Sequence, residues 1–590
     1  MPAAEAATSA ETTMTMLNSP SPEPASSTAG GSDRSTASTS SGGSDDPPPA
    51  PGAGPAAGAG PEAGTESEPA PGTTQTAPVA APHSNRVGTV FICSVIAVIA
   101  FMVWATIAPD ALSDIMTRAM TTVSTGFGWI YLVVPFAAIA MLVWFAASRF
   151  GRLRLGSSDS RPEYRTITWL AMILAAVMGI GLVSYGVAEP MSHFMTPPHG
   201  LAEPETMDAA IRAMQFSYLD WGFQAWAIFG VFGLAIGYST HRKGRPALVS
   251  TMLRPVLGRF VDGWVGSFID ILTIIATLFG TTTSLGLGAS QIGEGLNTVL
   301  GIDSTIIGQI IVITVLTLLF TGSALTGVSR GIKYISQITL TMATLLGLFV
   351  FITGPSGFVS NLFVRSIGAF AGDFVELSFM TPTSAEDSEW MLGWTYFMMA
   401  WWLSWSAFVG IFLAKISKGR TIREFVAGVL LVPSAVFFIW FTVMGGSAIK
   451  FDIDGAGIGE ATQNNLDTAF FSLLDQLPLS MLASVFTIVM VTLFFVSSAD
   501  SNTFVLSSLS SQGSFAPRRP VIATWGFLTG GCAVVLLLVG GLQALQQAAM
   551  LSAVPFTIIV VVLGIALIKE LRSDHQIVEE VARERRVLGL

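Results

Sequence analysis

The chain has 590 residues, of which 51% are hydrophobic and 12% charged, and its mean hydropathy is +0.63. An ordinary soluble domain carries about twice that charged fraction, which excludes a soluble enzyme and points to a polytopic membrane protein. The formal net charge of −10 is concentrated in residues 1–85, where nine acids face the single base Arg34. The remainder is close to neutral and has no basic stripe suited to nucleic acid.

Residues 1–85 are rich in Pro, Gly, Ala, Ser and Thr and poor in aliphatics. Such a segment cannot bury enough apolar surface to offset its ordering entropy, so a disordered acidic cytoplasmic tail is expected. Residues 86–568 then hold twelve apolar runs, each long enough for the roughly 20 residues a spanning helix needs. They fall near 88–108, 129–149, 165–190, 216–240, 264–297, 305–326, 336–354, 390–416, 424–446, 478–508, 520–541 and 546–568. The fifth and tenth are long and partly polar, which makes them candidates for a bend or local unwinding. Residues 569–590 form a short charged cytoplasmic segment, whose Arg583, Arg585 and Arg586 suit either anionic membrane lipid or solvent.

Orientation follows from Lys and Arg. With the N-terminus inside, the internal loops carry Arg149–Arg165, Arg242–Arg259, Arg330/Lys333, Lys415–Arg423 and Arg518/Arg519. Only Arg118, Arg212, Arg365 and Lys450 fall outside. Both termini are therefore expected in the cytoplasm.

Polar and aromatic residues within the spans mark the expected site. The third span reads Met178-Gly179-Ile180-Gly181, then Tyr185-Gly186. Glycine this dense serves either close helix packing or a break that frees carbonyls for a cation. The fifth span carries Thr277, Thr281, Thr282, Thr283 and Ser284; the tenth carries Ser497, Ser498, Asp500 and Ser501. Hydroxyls in lipid can bond back to their own helix. A hydroxyl run ending in a carboxylate also fits a cation pathway or a structural partner for Asp500.

Trp221, Trp226 and Phe229 lie on the fourth span, with 221 and 229 at a helical spacing. The eighth carries Trp390 and Trp394, then Trp401, Trp402 and Trp405. Two such helices facing each other make either aromatic packing or a box for quaternary ammonium, worth up to about 2 kcal/mol per desolvated cation–π contact. The five histidines, His83, His193, His199, His241 and His575, fall in tails or loops. No span assembles a nucleophile, a base and an orienting group, so no enzyme is expected.

The stretch Ala400-Trp401-Trp402-Leu403-Ser404-Trp405-Ser406-Ala407-Phe408-Val409-Gly410 and its continuation Ile416–Phe425 resemble the signature of the betaine/choline/carnitine transporter family. Met178–Gly181, Trp221–Tyr238, Ile274–Gly288 and Phe494–Ser501 look like the same family at the equivalent spans. The resemblance covers about residues 88–570 and is strongest to bacterial sodium-coupled glycine-betaine permeases. It implies an all-α fold of twelve transmembrane helices, with a LeuT-type core of two inverted five-helix repeats, spans 3–7 and 8–12. It also implies a homotrimer in the bacterial cytoplasmic membrane, alternating access, and Na⁺ as coupling ion with no cofactor.

By the same resemblance, Trp221, Trp226 and Trp402 would surround the substrate's ammonium, with Met178 and Gly181 beside them. Trp401 would line the outward path; Trp405, Phe408 and Phe412 the inward path. One Na⁺ would take backbone oxygens of Ala175, Met178 and Phe494 and the hydroxyls of Ser497 and Ser498. A second would sit near Thr277 and Thr281, against Phe408.

The chain departs from the family pattern at several places. Val177 replaces a glycine, Phe229 a tyrosine, Met398 and Met399 a Tyr/Trp pair, and Ala407 a proline. Asp220 replaces a histidine, and beside Trp221 it can attract a cation or carry a proton. The expected function is Na⁺-coupled symport of a zwitterionic compatible solute such as glycine betaine or ectoine, for osmoprotection. Proton-coupled choline uptake, through Asp220, is the alternative within the class, and an osmosensor or channel the alternative outside it. A flexible, Met-lined pocket would suit a broader ligand.

Overall fold

A computed structural model describes residues 88–588 apart from 178, 327, 328 and 515. The acidic tail and Met178 therefore lie outside the described residues, as does the side chain of Ala175. The described residues form helices joined by short loops, which is how a chain in lipid satisfies its backbone polar groups. Among the described residues, ten helices are long and apolar enough to cross a membrane.

α1 (Thr89–Ile107), α2 (Pro109–Phe127) and α3 (Ile130–Ala147) come first. The third apolar run is not one helix. It is divided into α4 (Thr166–Val177), α5 (Ile180–Ser184) and α6 (Ala188–Met195), with the first interruption at Gly179. The fourth run is split between α7 (Met207–Trp221) and α8 (Phe223–Gly237) at Gly222, whose φ of −94° and ψ of −130° are non-helical. Trp221 and Phe229 thus sit on different helices, and the helical spacing read between them does not hold.

The short turns α9 (Val249–Met252) and α10 (Arg254–Leu257) precede α11 (Trp264–Leu300), a helix of 37 residues. α12 (Ile306–Thr326), α13 (Ser329–Thr353) and α14 (Ser356–Ser378) follow. α15 (Ala385–Gly393) opens on Ser384, whose hydroxyl accepts from the Asp387 amide in a capping box. A non-helical Trp394 separates it from α16 (Thr395–Ile416). α17 (Ile422–Ile453) begins with a second capping box, Thr421 with Glu424. Then come α18 (Ile458–Asn464), α19 (Ala469–Asp475) and α20 (Ser480–Ser510). α21 (Arg519–Arg572) has 54 residues with non-helical Gly540 and Gly541 inside it, and α22 (His575–Leu588) ends the described chain.

The twelve expected spans map onto this unevenly. The last two share α21, on either side of the glycine pair, and the seventh falls in the shorter apolar stretch Gln337–Thr353. α14 is a candidate span that the twelve did not include. The fifth and tenth runs, candidates for a bend or local unwinding, show no unwinding, because α11 and α20 run unbroken. In α11, Thr281, Thr282, Thr283 and Ser284 each donate to the carbonyl four residues earlier, at 2.8–3.1 Å. The interruptions fall in the third, fourth and eighth runs.

α16 packs along α8, and α11 packs against α20, α21 and α16. The segment after Lys569 is anchored. Arg242 donates to both oxygens of Asp574, at 2.6 and 2.7 Å, and Tyr238 donates to the same carboxylate.

Candidate functional site

A small cavity opens where the interrupted third span meets α11, α16 and α20. Its lining includes Gly179 and Gly181, then Trp221, and Thr281 and Ser284 of α11. α16 contributes Trp401, Trp402, Trp405 and Phe408; α20 contributes Phe495, Ser498, Ala499 and Asn502. Helical spacing explains these sets, since 281 and 284, 401, 405 and 408, and 495, 498, 499 and 502 each share a face.

Gly181 leaves room for an indole. A Cβ there would lie 2.3 Å from the six-membered ring of Trp221, closer than any real contact. Gly280 does the same for α16, where a Cβ would meet Ser404 Oγ at 2.4 Å and Trp405 Cδ1 at 2.7 Å.

Five rings form a closed circuit around this point. Trp221 meets Trp402 edge-on at 4.9 Å, and Trp402 meets Phe229 at 6.0 Å. Phe229 meets Trp226 at 5.7 Å, Trp226 meets Phe437 at 6.1 Å, and Phe437 stacks back on Trp221 at 5.6 Å. Four members are those expected from the sequence. Trp221 and Trp402 reach the cavity, whereas Trp226 and Phe229 do not line it and close the circuit behind. The fifth, Phe437 of α17, was missed; as one more phenylalanine in an apolar span it carries no local signal.

The indoles are fixed by hydrogen bonds. Trp221 Nε1 donates to Glu189 Oε2 at 2.7 Å, Trp402 Nε1 to the Asp220 carbonyl at 2.7 Å, and Trp401 Nε1 to the Gly280 carbonyl at 3.2 Å. Buried indole N–H groups normally find such partners. Trp405 Nε1 is buried without one, at the cavity wall.

The expected cation-binding residues divide. Thr277 Oγ1 is buried with no hydrogen-bond partner, which leaves it free for a cation or a water, and Ser498 is half-buried on the cavity wall. Thr281 is engaged: its hydroxyl donates to the Thr277 carbonyl at 2.9 Å and accepts from Asn502 Nδ2. Phe494 is buried on α20, and Ser497 is nearly so. Asn502 was missed, although it lies one turn from Ser498 on the same face; its Oδ1 is also unpartnered. Asp500 faces away from the cavity and accepts from Ser323 Oγ of α12, so the carboxylate at the end of the hydroxyl run has a structural partner.

A second polar group lies beside the circuit. Asp220 is fully buried and accepts from Thr395 Oγ1 at 3.2 Å, while its Oδ1 has no partner. Glu189 and His193, both on α6, are fully buried as well. His193 is therefore a helical core residue and not a loop residue, contrary to the sequence expectation.

Residues 89–576 match the family described as BCCT, betaine/carnitine/choline family transporter. The chain belongs to this family. It is 40% identical to the glycine betaine transporter OpuD of Bacillus subtilis, over 85% of this chain and 97% of that protein. It is 36% identical to the betaine/ectoine transporter LcoP of Corynebacterium glutamicum, over 82% of this chain and 78% of LcoP. It is also 36% identical to an ectoine/hydroxyectoine transporter of Virgibacillus pantothenticus, over 83% of this chain and 98% of that protein.

As a member of the betaine/carnitine/choline family the chain is a multi-pass membrane transporter. Its departures from the family pattern can now be located. Met398 and Met399 are buried but do not line the cavity, so neither makes the pocket Met-lined. Ala407 is buried within α16 and also lies off the cavity. Phe229 keeps its place in the ring circuit without a hydroxyl.

Proposed function

We propose that this protein is a Na⁺-coupled symporter of a zwitterionic compatible solute, glycine betaine or ectoine, working by alternating access. The observation that carries this reading is the five-ring circuit, whose members Trp221 and Trp402 reach a cavity that also exposes Ser498 and Asn502. Rings with negative faces attract a quaternary or delocalised cation, and a desolvated site strengthens that attraction. The solute's carboxylate is left to the polar side of the cavity, where Gly179 belongs to an interrupted helix.

Sodium is the proposed coupling ion, and the unpartnered oxygen of Thr277, with the Ser498 hydroxyl on the cavity wall, supports it. These are hard, neutral donors of the kind that suit a monovalent cation without trapping it. Ser497, Phe494, Ala175 and Met178 would complete the first site. Thr281 and Phe408 would complete the second.

The interruptions at Gly179 and at Trp394 fall in the third and eighth spans, the first of each proposed inverted repeat, spans 3–7 and 8–12. That supports a LeuT-type core of paired five-helix repeats. The bacterial cytoplasmic membrane, cytoplasmic termini, anionic lipid at the C-terminal arginines and a homotrimer belong to the same reading.

A second reading is proton-coupled choline uptake, favoured by the buried and half-satisfied Asp220 next to Trp221. Uptake of labelled betaine, ectoine, proline, carnitine and choline into proteoliposomes, with and without an inward Na⁺ gradient, separates the two. Sodium-driven entry of a zwitterion that persists in Asp220→Asn supports symport. Choline entry driven by a pH gradient and lost in Asp220→Asn supports the second reading.

A further inference from the structure

Glu189, His193 and Asp220 bring together three ligand atoms that all lie within 4.8 Å of one another. The first two are one turn apart on α6, a spacing that puts both side chains on one face. Asp220 comes from α7, so the group bridges two segments. His193 Nε2 is 3.9 Å from Glu189 Oε1.

The polar atoms here are unsatisfied to an unusual degree. Glu189 Oε1, both ring nitrogens of His193 and Asp220 Oδ1 are buried without a hydrogen-bond partner. Each such atom costs about 1–3 kcal/mol if left alone, and among the described residues no Lys or Arg pairs with either carboxylate. Two carboxylates and an imidazole converging in one buried place call for a bound cation.

We propose that Glu189, His193 and Asp220 bind a divalent transition-metal ion of the zinc class. The donor set decides the class. A divalent ion balances two carboxylates, whereas Na⁺ would leave one charge over and has no affinity for an imidazole nitrogen. Imidazole with carboxylate suits zinc and its neighbours. Metal–ligand bonds of about 2.0–2.2 Å place ligand atoms some 3–3.5 Å apart, a contraction that side-chain rotation at Glu189 and Asp220 supplies. Because Glu189 also holds Trp221 Nε1, the ion ties α6 to α7 at the edge of the ring circuit.

The metal claim stands apart from the transport reading, and its test measures binding. Purified full-length protein, stripped with chelator, is titrated with Co²⁺ while the visible absorption band is followed. One Co²⁺ per chain is expected, displaced by Zn²⁺, with affinity falling as pH is lowered because the ligands must be deprotonated. Glu189→Gln and His193→Gln should each weaken binding at least tenfold while eluting as monodisperse protein. Absence of a stoichiometric band in the wild type would overturn the proposal and leave protons or water at these atoms. Unchanged affinity in both variants would overturn it equally, by placing the ion elsewhere.

Discussion

Gly181 and Trp221 occupy each other's space: a Cβ on the glycine would lie 2.3 Å from the indole. The indole cannot yield easily, because its N–H is held by Glu189 at 2.7 Å and its face by Phe437. Gly181→Ala should therefore displace Trp221 from the ring circuit at an overpacking cost of about 1–3 kcal/mol. The expected result is a KM for solute raised at least tenfold, with the protein still expressed in the membrane. Uptake kinetics in proteoliposomes check it, and an unchanged KM would show that Trp221 does not contact the solute.

Phe437 closes the circuit from α17, although nothing in its local sequence marks it. Phe437→Leu removes a stacked partner of Trp221 and should raise KM about tenfold, on the scale of one aromatic contact. Phe441 also packs on Trp221, at 5.2 Å. Phe441→Leu should therefore act in the same direction but less strongly, since that ring lies outside the circuit. Equal effects of the two substitutions would argue for general packing.

How far the sequence could reach is clear from these residues. The aromatic members on the fourth and eighth spans were legible because Trp clusters there, although the helical spacing read between Trp221 and Phe229 is broken at Gly222. Phe437 was not, since contacts between distant helices leave no periodic trace in either one. The break at the third-span glycines was one of the expected alternatives and is present, whereas those in the fifth and tenth runs were misplaced for a related reason. Polar residues in the fifth and tenth runs suggested unwinding, but several hydroxyls there, Thr281 and Thr283 in α11 and Thr503 and Ser507 in α20, return to their own carbonyls within an unbroken helix. The split at Gly222 had only a single glycine to announce it. His193 looked like a loop residue because α6 is short and polar, and the rings packing on it come from elsewhere in the chain: Trp390 and Trp394 at 4.9 Å and Phe216 at 6.2 Å.

Asp467 gives a pH-dependent prediction outside the spans. Burial pushes its carboxyl up to about 6; the Ser290 hydroxyl that donates to it pulls the other way, and the charge of Glu294 adds to the rise. The folded state thus holds this proton more tightly than the unfolded chain, whose value is 3.8. Stability is then greatest at low pH and declines as pH rises from about 4 through 6, by up to about 3 kcal/mol. Asp467→Asn should melt higher than the wild type at pH 7.5, and the gap should narrow steadily toward pH 4. A gap independent of pH would contradict this account.

Asp574 predicts what holds the C-terminal segment. Arg242 and Asp574 form a two-pronged ion pair in which their side chains are 11% and 2% exposed. Removing one partner of such a pair leaves a buried charge uncompensated, at about 3–5 kcal/mol. Asp574→Ala should lower the melting temperature in detergent and expose the chain beyond Lys569 to protease. Exchanging both residues for a pair of uncharged, well-packed side chains should recover most of the loss.

The central claim is that the aromatic circuit and the hydroxyls of α20 and α11 bind solute and sodium together. Equilibrium binding of labelled glycine betaine and of labelled ectoine to the purified protein, in NaCl and in KCl at equal ionic strength, tests it most directly. The account predicts saturable binding of at least one of them in NaCl, at least tenfold weaker in KCl. That difference should be abolished in the double variant Ser497→Ala, Ser498→Ala, and binding itself should be lost in Trp402→Leu. Equal affinity in the two salts, or wild-type binding by Trp402→Leu, would contradict it.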